Sequence, residues 1–307
     1  MNGPVVALSG GIGGAKLALG LARVLPPGAL TVIANTGDDF EHLGLAISPD
    51  LDTLLYTLAE LADPLQGWGR RDETWNFMET LRQLGGETWF ALGDRDLALH
   101  VERTRRLAAG ATLAEVTEHF RAHFGIAARI LPMSDAPVRT RLRTAAGWLD
   151  FQDYFVRRRC APAVGEIQYA GAATAAALPA ALAALADPAL RAIVICPSNP
   201  LLSVGPMLAI PALRSALQQA RAPVIAVSPL IGGRAIKGPT AKLMQELGLA
   251  VDAAEVARGY AELIDVFVAD EADAGMTVPD GVRLVTAPTL MTTLADRERL
   301  ARAVLQS

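Results

Sequence analysis

Cysteine is scarce in this sequence, and its scarcity argues against two ways of stabilising a protein. The 307 residues include only two cysteines, Cys160 and Cys196, and no C-x-x-C pair. Neither a zinc site built from cysteines nor a disulfide framework is therefore indicated, and a reducing, cytoplasmic location fits. A chain of this length predicts one large domain, or a core with a subdomain.

The sequence also lacks a strong net charge and a long uninterrupted apolar run. A formal net charge of −4 argues against a nucleic-acid-binding protein, which usually carries a strongly basic face. The most apolar tract, residues 170–195, is interrupted by prolines and charged residues, so it is a poor membrane span. No basic leader precedes the first apolar run, and we expect neither a signal peptide nor membrane binding.

Short apolar runs alternate with helical patterns along the chain, which is typical of a parallel sheet with crossover helices. About five strands of the core are clear, and their order cannot be predicted. The sequence predicts strands at 4–8, 30–35, 127–132, 192–196, 223–228, 264–269 and 282–286.

Two regions depart from this alternation. Residues 50–125 show helical spacing, including a capping box at Thr112 and Glu115, and residues 137–169 alternate like a β-hairpin. We therefore predict an α/β fold with a Rossmann-like, mostly parallel sheet, helices on both faces and an inserted helical subdomain. Residues 1–48 and 126–307 would form the nucleotide-binding core, and residues 49–125 the helical insertion.

The stretch "VVALSGGIGGAKLALGLARVL", residues 5–25, predicts a strand, a glycine loop and a helix. The dinucleotide pattern G-x-G-x-x-G would require glycine where Lys16 stands, and the P-loop would require Ser or Thr at Leu17. Four glycines nevertheless let backbone amides approach an anion at a helix N-terminus. We expect a phosphate here, although a tight turn without a ligand would give the same pattern.

Polar loops also follow three other predicted strands, at the sheet edge where ligands of open parallel sheets bind. They are Asn35-Thr36-Gly37-Asp38-Asp39, the segment 197–205 and the segment 229–238. Two glycine-rich loops, two cationic residues and two carboxylates at one edge predict a site for a pyrophosphate and a metal ion.

Two further acids, Asp50 and Asp52, lie in "SPDLDT". Ser48 as a cap, Pro49 at the first helical position and acids in the first turn would explain them structurally. Four carboxylates within 15 residues also suit Mg²⁺, which is usually held by one or two carboxylates plus substrate phosphates.

Three of the four tryptophans lie in residues 67–103. Trp75, Met78 and Leu81 have helical spacing and are expected in the core. Trp68 lies between two glycines, where a flat aromatic ligand could stack.

Several long segments resemble the 2-phospho-L-lactate transferase family of coenzyme F-420 biosynthesis. They include "LSGGIGGAKL", "NTGDD", "SPDLDTLLYTL", "GWGRRDETWNF", "LGDRDLALHVERT", "PSNPLLSVGPML" and "SPLIGGRAIKGPTAKLM". The resemblance implies a Mg²⁺-dependent transferase, commonly dimeric. It would move a phospholactyl or phosphoenolpyruvyl group from a guanosine diphosphate-linked donor to a hydroxyl of the deazaflavin Fo, and GMP would leave.

The resemblance also implies residue roles. The deazaflavin would lie on the helical insertion near Trp68, Asp94 and His100. The metal would lie among Asp38, Asp39, Asp50 and Asp52, with Asp38 and Asp50 as the catalytic candidates. The nucleotide would contact Ser9, Gly10, Gly11, Gly13, Gly14, Lys16, Ser198, Asn199, Ser203, Gly205, Gly232, Gly233 and Lys237.

Two other classes of protein share parts of this pattern. A nicotinamide dehydrogenase would need a third glycine and an acid after the second strand, where Asn35 stands. A nucleotide-sugar-binding regulator related to the gluconeogenesis factors is similar in the glycine loop and at "PSNP". That family is not expected to carry the tryptophan-rich segment or the complete pair of acidic motifs.

Overall fold

Seven strands form one parallel sheet in the computed structural model, which describes residues 3–64, 68–236 and 238–307. The strands are β1 (Val5–Ser9), β2 (Leu30–Ala34), β3 (Phe40–His42), β4 (Leu45–Ile47), β5 (Arg129–Pro132), β6 (Arg139–Thr144), β7 (Gly147–Asp150), β8 (Glu166–Ala170), β9 (Ala192–Ile195), β10 (Val224–Val227), β11 (Leu230–Ile231), β12 (Arg234–Ala235), β13 (Val266–Ala269) and β14 (Arg283–Thr286). The large sheet has the order β14-β13-β10-β9-β1-β2-β5. All seven predicted strands therefore belong to the core sheet, more than the five that were clear from the sequence.

Helices cover both faces of this sheet, as predicted. They are α1 (Gly11–Val24), α2 (Pro49–Leu58), α3 (Asn76–Gln83), α4 (Asp94–Ala108), α5 (Leu113–His123), α6 (Pro179–Leu185), α7 (Gly205–Leu208), α8 (Pro211–Gln218), α9 (Thr240–Glu246), α10 (Ala253–Gly259) and α11 (Leu294–Gln306). The apolar runs are continuous because alternate side chains face opposite layers. In β1, Val5 and Ala7 pack with α1, α2 and α11, whereas Val6 and Leu8 pack with α6, α8 and α10.

The predicted helical insertion contains α2 to α5. α5 begins with the predicted capping box, in which Thr112 and Glu115 bond each other's backbone. Leu51, Leu54 and Phe120 from this region pack in the same apolar cluster as α1. The insertion is therefore joined to the core by a shared hydrophobic layer, and its boundary at residue 49 stays a prediction.

Smaller sheets lie beside the main one. β6 and β7 form the predicted antiparallel hairpin, and β8 adds a third strand to β6. β3 and β4 form a short hairpin just before α2, and β11 and β12 another after β10. Two single π-helical turns, Asp153–Arg157 and Pro200–Val204, follow the β6–β7 hairpin and β9.

The order in which strands are added to the sheet changes direction between β1 and β9. After β1, the strands β2 and β5 are added on one side. The chain then returns to the other side of β1, where β9, β10, β13 and β14 are added in turn. The loops after β1 and β9 consequently lie where the direction changes, and a crevice opens beside them at the carboxyl ends of the strands. In open parallel sheets this crevice is where ligands bind.

No single helix in the described part of the chain is long and apolar enough to cross a membrane. One bent pair, Pro200–Leu208 with Pro211–Gln218 at 89°, has a suitable length and composition only.

Candidate active site

A cavity of about 560 Å³ occupies this crevice. The loops after β1, β2, β9 and β10 all reach it, together with α2, α4 and the segment after β14. Of the residues predicted for the site, it is lined by Gly10, Gly11, Gly13, Lys16, Asp38, Asp50, Asp52, Trp68, His100, Ser198, Asn199 and Ser203. The structure thus brings most of the predicted side chains to one place, although they are spread over nearly 200 residues.

The glycine loop is fixed to the loop after β9 and to α2. The Gly10 amide donates to Ser198 Oγ at 3.1 Å, and the Gly11 amide donates to Asp50 Oδ1 at 2.7 Å. Lys16, one turn into α1, donates from Nζ to the Met291 carbonyl at 2.9 Å. The loop is therefore held in place by the protein itself at the cavity wall.

Two kinds of glycine occur in this loop. A Cβ at Gly13 would lie 2.5 Å from the Pro197 carbonyl oxygen, and one at Gly14 would lie 2.4 Å from Ser198 Oγ. These positions exclude side chains because two loops cross there. Gly11 has φ +64, and its nearest neighbour for a Cβ, Ser203 Oγ, is 3.9 Å away. The space beside Gly11 is open, which suits a bound anion.

Asp38 and Asp50 form a buried carboxylate pair on the cavity wall. Asn35 Nδ2 donates to Asp50 Oδ2 at 2.9 Å, and the Gly11 amide occupies Oδ1. Burial raises the pKa of Asp50 to about 6, and burial with the neighbouring Asp50 raises the pKa of Asp38 well above its usual range. Asp38 Oδ1 is buried without a hydrogen-bond partner among the described residues. An unpartnered carboxylate oxygen beside a second carboxylate fits a hard divalent cation such as Mg²⁺.

Asp39 faces away from this pair. It lines a second cavity of about 240 Å³ together with Thr36, Ser48 and Arg139. Ser48 is the N-cap residue of α2 and Pro49 opens the helix, as expected, but Ser48 Oγ donates to Asp39 Oδ2 at 2.8 Å and makes no capping bond to the α2 backbone. Burial raises the pKa of Asp39 to about 7, although Arg139 and the Ser48 hydroxyl lower it.

Asp52 is bound by a buried arginine. Arg103, 1 % exposed, forks onto both carboxylate oxygens of Asp52. Burial raises the pKa of Asp52, and Arg103 opposes that effect. Oxygen and nitrogen atoms of Asp52, Asp96 and His100 lie within 4.8 Å of one another, as metal ligands would. Arg103 already supplies a positive charge there, so this group fits a metal ion less well than Asp38 and Asp50 do.

An apolar wall completes the cavity. Trp89, Phe90, Phe155, Ile236 and Leu290 line it, and Trp89 and Phe90 pack edge to face with ring centroids 5.8 Å apart. Trp68 lies on the same wall and is 47 % exposed. Trp75, which was expected in the core, is 38 % exposed, and only Met78 of that helical triplet is buried.

A family model described as 2-phospho-L-lactate transferase CofD matches residues 5–283. The chain belongs to the 2-phospho-L-lactate transferase family. It is 40% identical to a phosphoenolpyruvate transferase of Kitasatospora aureofaciens, over 98% of this chain and 96% of the relative. It is 39% identical to a 2-phospho-L-lactate transferase of Methanosarcina mazei, over 99% and 100%.

The fold of this transferase-family member also occurs at low sequence identity. A UPF0052-family crystal structure from Bacillus halodurans superposes with a TM-score of 0.65 at 14% identity, covering 99% of both chains. That likeness shows the shared α/β fold.

Some residues predicted for the site of this transferase-family chain lie elsewhere. The cavity lining in the described part of the chain does not include Ser9, Gly14, Asp39, Asp94, Gly205, Gly232 or Gly233, and Lys237 lies outside the described residues. Gly232 and Gly233 form the turn between β11 and β12 with positive φ. A Cβ at Gly205 would lie 2.2 Å from the Tyr169 hydroxyl, so close packing explains this glycine.

Asp94 has a structural task in this member of the family. Its carboxylate accepts hydrogen bonds from the Thr74 hydroxyl and from the Asn76 and Phe77 amides at the start of α3. These bonds, led by that of Thr74, lower the pKa of Asp94 to about 2. Its predicted contact with the acceptor stays a prediction.

Sequence reasoning assigned no role to three polar residues at or beside the cavity of this transferase-family chain: Tyr56, Asp96 and Arg103. Asp96, His100 and Arg103 are spaced i, i+4 and i+7, so they share one face of α4, and Tyr56 follows Asp52 by four positions on α2. This helical spacing was the available signal.

Proposed function

We propose that this chain transfers a phospholactyl or phosphoenolpyruvyl group from a guanosine diphosphate-linked donor to a hydroxyl of the deazaflavin Fo. The hydroxyl oxygen forms a bond to the phosphorus that bears the acid, and the anhydride bond to GMP breaks. GMP leaves with the bonding electrons, and the hydroxyl proton passes to a carboxylate beside it or to solvent. The proposal starts from family membership and from the names of the relatives, some of which are 2-phospho-L-lactate and others phosphoenolpyruvate transferases.

One observation carries the proposal: a single cavity is lined by the glycine loop at the start of α1, a buried carboxylate pair and a broad aromatic wall. The glycine loop, the N-terminus of α1 and the Ser198–Asn199–Ser203 segment suit the donor diphosphate. The aromatic wall with Trp68 suits the flat deazaflavin ring. Asp50 contacts the glycine loop, whereas Asp52, two residues along α2, contacts α4. The first turn of α2 therefore connects the part of the cavity proposed for the donor with the part proposed for the acceptor.

The carboxylate pair supports the proposed need for Mg²⁺. Asp38 and Asp50 would hold the ion, and Mg²⁺ would neutralise the diphosphate charge that grows as GMP leaves. The chain itself holds the glycine loop against Ser198, keeps the hydroxyl beside the carboxylates and surrounds the ring with apolar side chains. No covalent nucleophile is required.

The test is to incubate the protein with Fo, Mg²⁺ and each guanylylated acid in turn, and to measure product masses. A product equal to Fo plus the phospho-acid unit, with GMP released, is expected for at least one of the lactate, enolpyruvate and glycerate donors. Absence of product from all three would refute the proposed reaction.

The same material separates this proposal from a nucleotide-sugar-binding regulator. Thermal unfolding would be followed with Fo and, separately, with a UDP-sugar. Stabilisation by Fo is expected here, because the aromatic wall suits the flat deazaflavin ring. Stabilisation by the UDP-sugar alone would favour the regulator.

A further inference from the structure

We infer that Asp96 binds a hydroxyl of the acceptor and that the buried Arg103 is the positioning residue that holds the Asp96 carboxylate for it. This inference rests on the proposed function, and it names the part of the cavity that recognises the hydroxyl-bearing chain rather than the ring.

Asp96 lines the cavity with its carboxylate fixed from two sides. The Tyr56 hydroxyl donates to Oδ1 at 2.5 Å, and His100 Nε2 lies 3.2 Å from Oδ2. The Asp96 side chain is 16% exposed, so part of it still faces the cavity. An ionised carboxylate offers about four acceptor positions, and these two contacts leave about half of them for a ligand.

The state of the His100 ring follows from Arg103. Arg103 Nη1 lies 3.2 Å from His100 Nδ1, and a guanidinium has donors only. An Nδ1 that accepts from Arg103 leaves the ring proton of a neutral His100 on Nε2, on the side of Asp96. Arg103 in this way turns the protonated nitrogen of His100 toward Asp96 Oδ2, 3.2 Å away, where the ring is in polar contact with the carboxylate without an aligned hydrogen bond.

Asp52 in turn fixes Arg103. The guanidinium forks onto Asp52 and also donates to the Ala46 carbonyl at 3.3 Å, so it is held by α2 and by β4 at once. A bidentate pair of this kind fixes orientation as well as charge. The result is a continuous buried chain from Asp52 through Arg103 and His100 to Asp96, closed by Tyr56.

This arrangement favours a ligand that offers a hydrogen-bond donor, such as a hydroxyl, to Asp96. With the Tyr56 hydroxyl donating to Asp96 and the His100 ring beside it, burial raises the pKa of Asp96 less than His100 and Tyr56 lower it, and the carboxylate stays ionised. An ionised carboxylate accepts from a hydroxyl and repels a phosphate. This series of side chains thus favours binding of the hydroxyl-bearing acceptor beside Asp96 and disfavours binding of the donor diphosphate there.

The test compares two ligands on the whole protein by calorimetry. One is Fo, and the other is the same deazaflavin with an n-pentyl chain in place of its ribityl chain. Asp96→Asn should raise the Kd for Fo by about tenfold, the value of a hydrogen bond to a charged group. The Kd for the pentyl analogue and for GDP should not change. Glu102→Gln, on the exposed side of α4, is the matched control.

Arg103→Lys keeps the positive charge but loses the bidentate contact with Asp52. Like Asp96→Asn, it should reduce the preference for Fo over the pentyl analogue. Added to Asp96→Asn, it should reduce that preference no further, because it acts through Asp96. Arg106→Lys, which pairs with Glu102 near the surface, is its control. If Arg103→Lys does not fold, Tyr56→Phe removes one fixed contact to Asp96 and should also reduce the preference.

The outcomes separate the two proposals. A wild-type protein that does not bind Fo refutes the proposed function. A wild-type protein that prefers Fo to the analogue, with the same preference in Asp96→Asn, refutes this inference alone. Equal losses for both ligands in Arg103→Lys would show that Arg103 only supports the fold.

Discussion

At the scale of single residues, the two neighbouring acids of the "NTGDD" loop differ most. Asp38 lines the main cavity beside Asp50, whereas Asp39 lines the second cavity beside Ser48 and Arg139. Consecutive residues in a tight loop point in different directions, so one sequence motif supplies side chains to two places. The sequence indicated an acidic cluster, but it could not indicate which acids face the same space.

Asp38→Asn should abolish turnover while leaving the protein folded. Asparagine keeps the size but removes a charge that burial already disfavours, so the melting temperature at neutral pH should not fall. Loss of charge stabilisation at the reacting phosphate should lower kcat about a hundredfold or more. Activity assays and Mg²⁺ calorimetry with GDP present would measure both effects.

Asp150→Asn, an exposed residue that pairs with Arg141, serves as the control for that substitution. Full turnover of Asp38→Asn at limiting Mg²⁺ would remove Asp38 from the mechanism.

Asp39 should make the metal-free protein less stable as the pH rises. Its folded-state pKa of about 7 exceeds the ordinary value of 3.8, so between these values the folded state holds a proton that the unfolded state releases. Stability due to this group is complete below the lower pKa. It then falls, by up to about 1.4 kcal/mol per pH unit, until the pH passes the folded pKa.

Asp39→Asn removes this titration, and its amide oxygen can still accept from Ser48. Urea unfolding in a chelating buffer should show a variant more stable than the wild type at pH 8 and nearly equal to it at pH 4. The same pH slope in both proteins would mean that Asp39 does not titrate in this range.

At the scale of elements, the glycine loop is shaped first by the loop it crosses. Gly10, Gly13 and Gly14 each face atoms of the 197–203 segment or of Ser9 too closely for a Cβ. The sequence suggested that these glycines make room for phosphate. In the structure only Gly11 borders open space, so packing explains most of the motif even before a ligand is present.

Gly13→Ala should therefore destabilise the ligand-free protein. The added methyl would meet the Pro197 carbonyl at 2.5 Å, and forcing the loops apart should lower the free energy of unfolding by about 1–3 kcal/mol. Gly259→Ala, at the end of α10 with nothing within 4 Å, is the control and should be nearly neutral. Urea titrations without nucleotide measure both. A Gly13→Ala protein as stable as the wild type would show that the loop adapts.

The sequence predicted the position of the core strands better than the side chains that α4 brings to the site. The seven core strands lie where apolar runs predicted them, because buried parallel strands are apolar on both faces. α4 was predicted as a helix, but its functional face was not read from it. Asp94 caps α3, whereas Asp96 and His100 line the cavity and Arg103 is buried beside His100. The partner of Arg103 lies 51 residues earlier in the sequence, and local spacing cannot reveal it.

At the scale of the whole molecule, strand order creates the site. The order places β1 and β9 side by side with the chain reversing between them, and this juxtaposition depends on long-range pairing that the sequence pattern does not encode. Once the order is known, the grouping of the loops follows from parallel geometry alone. The sequence could therefore predict that the loops after parallel strands meet, but not which loops would be neighbours or which side chains would share a cavity.

The cavity should accordingly behave as two separable halves. Trp68 belongs to the aromatic wall, and the glycine loop contacts Asp50 and Ser198 instead. Trp68→Ala should weaken Fo binding, since a stacked ring contributes roughly 0.5–1.5 kcal/mol beyond its buried area, while GDP binding stays nearly intact. Trp75→Ala, a similarly exposed tryptophan that is not among the described lining residues, is the matched control. Calorimetry with Fo and with GDP measures the two affinities separately. Equal losses for Fo and GDP in Trp68→Ala would mean that the two halves fold and bind as one unit, and the separate acceptor wall would have to be abandoned.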